Sequence, residues 1–382
     1  MKIDRPRLPA LTSLRFFAAL HVCIFHLYAM KIASGGGWLR QIAAIGYVGV
    51  SFFFILSGFI LVYTYADRDV PALAFWRARF ARIYPAYLFS LLLAAPFFYF
   101  VAVKLKPTPL QFMVWPQNHL IPSVVLVLTL LQSWVPGAAL AWNIPAWSLS
   151  DEAFFYLVFP ILLFWLTRKR QRTWVGIAVA CWVATLGLTI AYVVLRPDGV
   201  ALVDDNSVLT WLTVLKFFPL VRFPEFLLGC CLALLYLRQP AARKWGTPLV
   251  MFGVAYFAAV VISAPHIPYP ILHDALLTPA FAAIIYGLAL RPSWTRLFEF
   301  APLILLGDAS YSFYLVHVSL LARVFRPRGV PLNLAAWQIA LGTLVPVVVS
   351  ILIYKFIETP ARRKLRGKMR RQPEMAPAAA TA

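Results

Sequence analysis

The first hydrophobic stretch carries ionisable side chains where a membrane-spanning helix would normally have none. Arg15, His21 and His26 lie within it. Such groups are costly in hydrocarbon, so by default they mark a functional site. Arg15 and His26 are eleven residues apart, which on an α-helix places them on one face and about 16 Å apart along the axis. One helix would therefore present a cation towards one side of the membrane and a base towards the other.

His26 is the stronger candidate for acid–base chemistry. An unperturbed histidine titrates near pH ~6.5, so a neutral imidazole can take a proton from an acceptor hydroxyl. The alternative is a histidine that bonds a neighbouring helix, and for His21, about 140° away around the helix, this structural role is favoured. Arg15 could stabilise developing negative charge or bind an anionic donor, or it could snorkel to the membrane surface.

A cluster of arginines precedes the third hydrophobic stretch. Arg79 and Arg82, spaced i and i+3, project together from a helix. With Arg77 they form a set of guanidinium groups, which match phosphate oxygens. The enrichment of Lys and Arg in cytoplasmic loops explains the same cluster without a ligand. The cluster is therefore a candidate phosphate site and, equally, a topology signal.

Polar side chains also interrupt later hydrophobic runs. Ser148 and Glu152 share a helix face, and Glu152 could orient a histidine, bind an arginine, contact a polar acceptor or form a structural ion pair. The spacing of Arg222 and Glu225 favours a mutual ion pair.

Ser310, Tyr314 and His317 lie within about 60° of one helix face. They form a polar stripe that would either line a cavity or hydrogen-bond a neighbouring helix.

Composition identifies the broad class. The chain has 382 residues, 62% hydrophobic and 13% charged, whereas a soluble domain is about a quarter charged. We predict an all-α polytopic membrane protein, because ten apolar runs approach the ~20 residues that span a bilayer. They lie near 11–30, 46–65, 83–103, 148–167, 174–195, 213–237, 247–264, 272–290, 302–324 and 334–357. An eleventh run, 118–134, is shorter and flanked by prolines.

Loop charge sets the topology. If 118–134 spanned the membrane, the basic runs 168–172 and 362–371 would lie outside, against the positive-inside rule. We therefore predict ten helices in one bundle with both termini cytoplasmic, and a re-entrant or interfacial segment near 118–134. Arg323, Arg326 and Arg328 do not fit this topology.

Charge and cysteine placement disfavour a nucleic-acid partner, a metal site and a disulfide framework. The net charge of +21 follows from topology and attraction to anionic membrane lipids, so nucleic acid is not an expected partner. The cysteines, at 23, 181, 230 and 231, show neither zinc-site spacing nor a disulfide framework, so no metal is expected. The predicted organisation is a cytoplasmic N-terminus at 1–10, a transmembrane domain at 11–363, and a basic, disordered cytoplasmic tail at 364–382.

The ordered set of motifs resembles the acyltransferase 3 family of integral-membrane O-acyltransferases. The motifs that carry the resemblance are Arg15-x10-His26, Arg79-x-x-Arg82, Trp147-Ser-Leu-x-x-Glu152, Arg222-x-x-Glu225, Ser310-Tyr-x-x-Tyr314-Leu-x-His317 and Ile357-Glu358-x-Pro360. They extend from residue 11 to about 363. Asp151 and Phe154 depart from the pattern that the family often shows around the glutamate, which weakens a role for Glu152.

The resemblance implies about ten spans and transfer of an acyl group, commonly acetyl, from cytoplasmic acyl-CoA to a hydroxyl of a saccharide or glycolipid, such as an exopolysaccharide or O-antigen. It implies essential roles for Arg15 and His26, donor binding by Arg79 and Arg82, acetyl-CoA as co-substrate, and a bacterial inner (cytoplasmic) membrane location. The rival hypothesis is a transporter or translocase of an envelope saccharide or a lipid-linked intermediate, and a third is a non-catalytic membrane partner in an envelope assembly complex. Neither the acceptor nor the oligomeric state follows from the sequence.

Overall fold

The computed structural model describes residues 5–33, 36–238, 243–325 and 335–367, with side chains to residue 364. All regular structure in these ranges is helical. The α-helices are α1 Pro9–Ala29, α2 Gly37–Ala44, α3 Gly49–Tyr65, α4 Ala72–Tyr99, α5 Gln111–Asn118, α6 Leu120–Leu128, α7 Trp147–Thr167, α8 Gln171–Leu195, α9 Thr210–Phe217, α10 Pro219–Arg238, α11 Gly246–Ser263, α12 Tyr269–Asp274, α13 Thr278–Ala289, α14 Ala301–Phe325, α15 Ala336–Ile353 and α16 Thr359–Gly367.

Ten helical segments of the described residues are long and apolar enough to cross a membrane, which confirms the predicted all-α, ten-span bundle. They are Pro9–Ala29, Gly46–Tyr65, Ala72–Lys104, Ile144–Thr167, Gln171–Leu195, Thr210–Arg238, Arg243–His266, Tyr269–Ala289, Ala301–Phe325 and Ala336–Lys364. Several connections between successive spans are short turns or short helices.

The third span begins at Ala72, well before the predicted start at 83. The low hydropathy of the arginines at 77–82 predicts a loop, but the helix continues through them and Arg79 is buried inside the bundle. Of the arginines that do not fit the predicted topology, Arg323 is exposed and donates to the Leu93 carbonyl. Arg326, Arg328 and the predicted tail from 368 onwards lie outside the described residues.

Residues 118–134 are not among the ten spans. They form part of α5, the short helix α6 and a 3-10 turn at Gln132–Trp134. Irregular backbone at membrane depth is tolerated where protein covers it, and neighbouring side chains do so. Tyr87 donates its hydroxyl to the Val127 carbonyl at 2.6 Å, Tyr84 donates to the Leu128 carbonyl at 3.1 Å, and Ser150 donates to the Leu130 carbonyl at 2.7 Å.

Two close helix contacts organise the bundle, and each depends on glycine. A Cβ placed on Gly229 of α10 would lie 2.0 Å from the main-chain oxygen of Ile55 on α3. A Cβ on Gly307 of α14 would lie 2.0 Å from the main-chain oxygen of Thr12 on α1. Small residues let membrane helices approach to backbone contact. The second contact fixes α1, which carries Arg15 and His26, directly against α14.

One end of the bundle carries the start of α1, the 66–71 connection and the 168–170 connection. We call it the basic end, because Arg68, Arg168, Lys169 and Arg170 lie there. The opposite end carries the 196–209 connection with Asp198, Asp204 and Asp205. The positive-inside rule assigns the basic end to the cytoplasm.

Candidate active site

A cavity lies between α1, α3, α4, α7 and α14, in the half of the bundle nearer the basic end. Its volume is about 60 Å³. Its walls are Arg15, Phe53, Leu56, Ser57, Ile60, Leu61, Arg79, Arg82, Ile83, Glu152, Tyr156 and Tyr311. Five helices that are distant in sequence therefore supply one small polar chamber within the membrane-spanning region.

Positive charge dominates this cavity. Arg15 and Arg82 have neither a hydrogen bond nor an ion pair within 4 Å to any described residue. Arg79 donates to the Tyr65 hydroxyl at 3.2 Å and lies over the rings of Tyr65 and Phe75, with its guanidinium carbon 5.7 Å from each ring centre. Glu152 accepts a hydrogen bond from Tyr156 at 3.1 Å. Three cations thus face one carboxylate, which makes the cavity a site for an anion.

Arg77, predicted as part of the same arginine set, is exposed and does not line the cavity. The physical reason is the helix period: Arg77 is about 200° from Arg79 and about 140° from Arg82 around α4. The structure brings Arg79 and Arg82 together with Arg15 but does not bring Arg77 with them.

Sequence reasoning assigned no role to two tyrosines that line the cavity or to one buried carboxylate. Tyr156 and Tyr311 line the cavity, although Tyr311 stands beside Ser310 in one of the motifs. Glu358 is fully buried, accepts a hydrogen bond from Ser312 at 3.0 Å and pairs with Arg362. Its i, i+4 spacing to Arg362 was an available signal. Glu358 is already paired and does not line the cavity.

His26 lies further along α1, beyond the cavity, against α14. Its Nδ1 is 2.9 Å from the Val22 carbonyl oxygen and 3.2 Å from Nε2 of His317. His317 is 0% exposed, and its Nδ1 is 2.7 Å from the Tyr314 carbonyl oxygen. His26 itself is partly exposed. The structure therefore joins two predicted site residues into a histidine pair of which one member is accessible.

Tyr314 and Phe53 lie between the cavity and this pair. Phe53 lines the cavity, and its ring centre is 6.0 Å from that of Tyr314, which is 5.9 Å from that of His317. Ser148 donates to the Tyr314 hydroxyl at 3.0 Å and thereby fixes this ring. Arg15 and His26 both face α14, as their spacing predicts, but they do not share one cavity.

Two of the remaining predicted polar groups, Ser310 and His21, have local partners. Ser310 donates to the Gly307 carbonyl of its own helix at 2.7 Å. His21 has its Nε2 2.6 Å from the Ile42 carbonyl oxygen, which ties α1 to α2 in the structural role that the sequence favours. Asp151, adjacent to Glu152, is 0% exposed and does not line the cavity.

Arg222 and Glu225 form an ion pair with 3.0 Å between Nη2 and Oε2. Both are almost completely buried. The pair is part of a larger cluster, because Arg222 also pairs with Asp274 and donates to Ser51 at 2.9 Å. Asp274 in turn lies 2.5 Å from Nδ1 of His273. A buried ion pair needs such additional partners, and these come from α3 and α12, where the local sequence gives no signal for them.

Known proteins support one family. The family described as "Acyltransferase domain" matches residues 8–355. Acyltransferase MdmB of Streptomyces mycarofaciens is 34% identical over 94% of this chain and 92% of its own length.

O-acetyltransferase OatA of Staphylococcus aureus (strain NCTC 8325 / PS 47) is 26% identical over 95% of this chain. The Putative peptidoglycan O-acetyltransferase YrhL of Bacillus subtilis (strain 168) is 26% identical over 93% of it. This chain spans 58% and 55% of the lengths of these two relatives. No solved structure matches it.

The family match covers nearly the whole ten-span bundle, together with the arginine-lined cavity and the histidine pair. The chain therefore belongs to the acyltransferase domain family and is a multi-pass membrane acyltransferase.

Proposed function

We propose that this protein transfers an acyl group, acetyl in the first instance, from acyl-CoA to a hydroxyl of a saccharide acceptor, with His26 as the general base. The observation that carries the proposal is the cavity in which Arg15 and Arg82 have neither a hydrogen bond nor an ion pair within 4 Å among the described residues. It lies on the same face of α1 as a partly exposed histidine.

The donor occupies the arginine side of this site. Each guanidinium offers five N–H donors and no acceptor, in a fork that fits phosphate oxygens. A cavity of about 60 Å³ is too small for a whole acyl-CoA, so it takes one phosphate of the donor. The rest of the molecule lies towards the basic end, which faces the cytoplasm in the predicted topology of a bacterial inner membrane.

The reaction needs one base and no covalent enzyme intermediate. His26 takes the proton of the acceptor hydroxyl while the hydroxyl oxygen attacks the thioester carbonyl carbon. The carbon–sulfur bond then breaks, and the departing sulfur takes the proton from His26. The products are the acyl ester and free CoA, and the enzyme returns to its starting state. Arg15 binds a donor phosphate in this scheme, because the oxyanion develops beside His26, about 16 Å further along α1 and beyond the reach of the Arg15 guanidinium.

The arginine cavity and His26 are far apart, so the donor must extend from one to the other. Arg15 and His26 are about 16 Å apart along α1, with Phe53 and Tyr314 between them. The flexible arm of the donor must pass these rings to bring its thioester to His26. Ser148, Tyr314 and His317 therefore act as supporting residues along this path, and Glu152 supports its cavity end. Arg222 and Glu225 hold the surrounding helices in place.

A saccharide acceptor agrees with the names of two relatives. One is an O-acetyltransferase and the other a putative peptidoglycan O-acetyltransferase; peptidoglycan is built on sugar chains that carry hydroxyl groups. The name of the relative that matches over almost its whole length, MdmB, specifies no acceptor.

The proposal is tested with purified protein in nanodiscs, radiolabelled acetyl-CoA and envelope glycan extracts, with longer acyl-CoAs as competitors. His26→Ala should lower transfer about 10²–10⁴-fold, the contribution of a positioned base, while acetyl-CoA binding is retained. The matched control is His119→Ala, because His119 is exposed on a different element.

Undiminished transfer by His26→Ala would refute His26 as the base. Failure of the wild type to bind acetyl-CoA would refute acetyl-CoA as the acyl donor.

A further inference from the structure

The pair formed by His26 and His317 contains three short polar contacts, and their chemistry restricts where the ring protons lie. His26 Nδ1 faces both the Val22 carbonyl oxygen at 2.9 Å and His317 Nε2 at 3.2 Å. His317 Nδ1 faces the Tyr314 carbonyl oxygen at 2.7 Å. A carbonyl oxygen only accepts, so a ring nitrogen at these distances must carry the hydrogen.

Each neutral histidine has one N–H. If His317 carries it on Nδ1, towards Tyr314, then its Nε2 is a lone pair and an acceptor. His26 then carries its proton on Nδ1 and shares it between Val22 and His317, so all three contacts are favourable. The opposite tautomers would set lone pairs against two carbonyl oxygens.

A doubly protonated His317 is also disfavoured. It is 0% exposed, and it has no ion pair with a carboxylate among the described residues. A buried charge without a partner is costly.

We infer that His317 is a positioning residue for the base. It accepts the Nδ1–H of His26 and so leaves His26 Nε2 as the nitrogen that takes the acceptor proton. This rests on the proposed function. When Nε2 is protonated, the Val22 carbonyl and His317 Nε2 stabilise the imidazolium by accepting its Nδ1–H. A carboxylate plays this part in a Ser-His-Asp triad.

The tautomers are measured directly, without any assay of activity. In nanodiscs with ¹⁵N-labelled histidine, His26 should show a protonated Nδ1 and an unprotonated Nε2, assigned through the His26→Ala spectrum. His317→Phe should raise the fraction of His26 protonated on Nε2 instead. A wild-type His26 protonated on Nε2, or a tautomer ratio unchanged by His317→Phe, would overturn the inference.

Kinetics give a second readout, which a merely structural role would not produce. His317→Phe should lower kcat about ten- to a hundredfold, the worth of one hydrogen bond to a charged group. The KM for acetyl-CoA should not change, since the arginine cavity is separate. His317→Gln, whose side-chain oxygen can accept in place of Nε2, should retain most of the activity, and His119→Phe should retain all of it.

The two proposals fail in different ways. Equal kcat losses in His317→Phe and His317→Gln, with normal acetyl-CoA binding in both, would overturn the role of His317 as acceptor. Undiminished transfer by His26→Ala would instead refute the proposed base, whereas the nitrogen spectra would still decide the protonation of the pair.

Discussion

Replacing one arginine of α4 at a time distinguishes two hypotheses, that these arginines bind the acyl donor and that they serve only to set the membrane topology. Arg82 lines the cavity and has no hydrogen bond or ion pair to the residues that the structure describes. Arg77 is five positions earlier on the same helix and is exposed. Arg82→Gln and Arg77→Gln each remove one positive charge near the basic end, and only the first removes it from the cavity. We predict that acetyl-CoA affinity falls in Arg82→Gln and hardly changes in Arg77→Gln.

The size of the difference follows from burial. A hydrogen bond between charged groups shielded from water is worth about 1.5–3 kcal/mol, which is about a 10- to 100-fold loss of affinity. An exposed charge contributes about 0.2–1 kcal/mol, at most about a fivefold loss. The Arg77 effect should also disappear in high salt, because exposed charges are screened beyond about 8 Å at physiological ionic strength.

The assay is equilibrium binding of acetyl-CoA to each variant in nanodiscs at two salt concentrations, with KM measured in parallel. Thermal stability of each variant, measured without donor, controls for misfolding. Equal losses in the two variants would refute the cavity as the donor site and leave only a general attraction of anions to the basic end. Unchanged affinity in both would place the donor elsewhere.

Three further predictions concern stability. Gly229→Ala should lower the free energy of unfolding by about 1–3 kcal/mol, because its Cβ would lie 2.0 Å from a main-chain oxygen of α3; Gly187→Ala, which has nothing within 4 Å, should be neutral or stabilising. Arg222→Gln should cost about 3–5 kcal/mol, since it leaves buried carboxylates without a cation; a variant as stable as wild type by thermal unfolding would contradict this. Burial and a neighbouring carboxylate raise the pKa of Asp205, a loop residue, against the opposing effect of Lys216. Its ionisation therefore lowers the free energy of unfolding as the pH rises through that pKa. Asp205→Asn should raise the unfolding temperature at pH 7 but should leave it unchanged below the pKa of an unfolded aspartate. An equal shift at both pH values would contradict this prediction.

The local properties of the chain can be predicted from the sequence alone. Whether a segment enters the membrane depends on the mean polarity of about 20 consecutive residues, and the ten-span count required only this and the loop charges. The shared face of Arg15 and His26 follows from the helical period. The same period separates Arg77 from Arg79 and Arg82, but only the tertiary structure shows that the helix extends back through Arg77.

Pairing between distant segments was decided by tertiary structure alone. His26 and His317 are 291 positions apart, and they meet because Gly307 allows α14 to approach the backbone of α1. Asp274 reaches Arg222 from another helix, so the local pair predicted with Glu225 is only part of the cluster. The sequence by itself determined that this is an α-helical membrane protein with ionisable groups on its first helix. Which of those groups face a cavity, and which are neutralised, depended on helix packing, because the partners of a buried charge come from whichever helices the close contacts bring within a few ångströms.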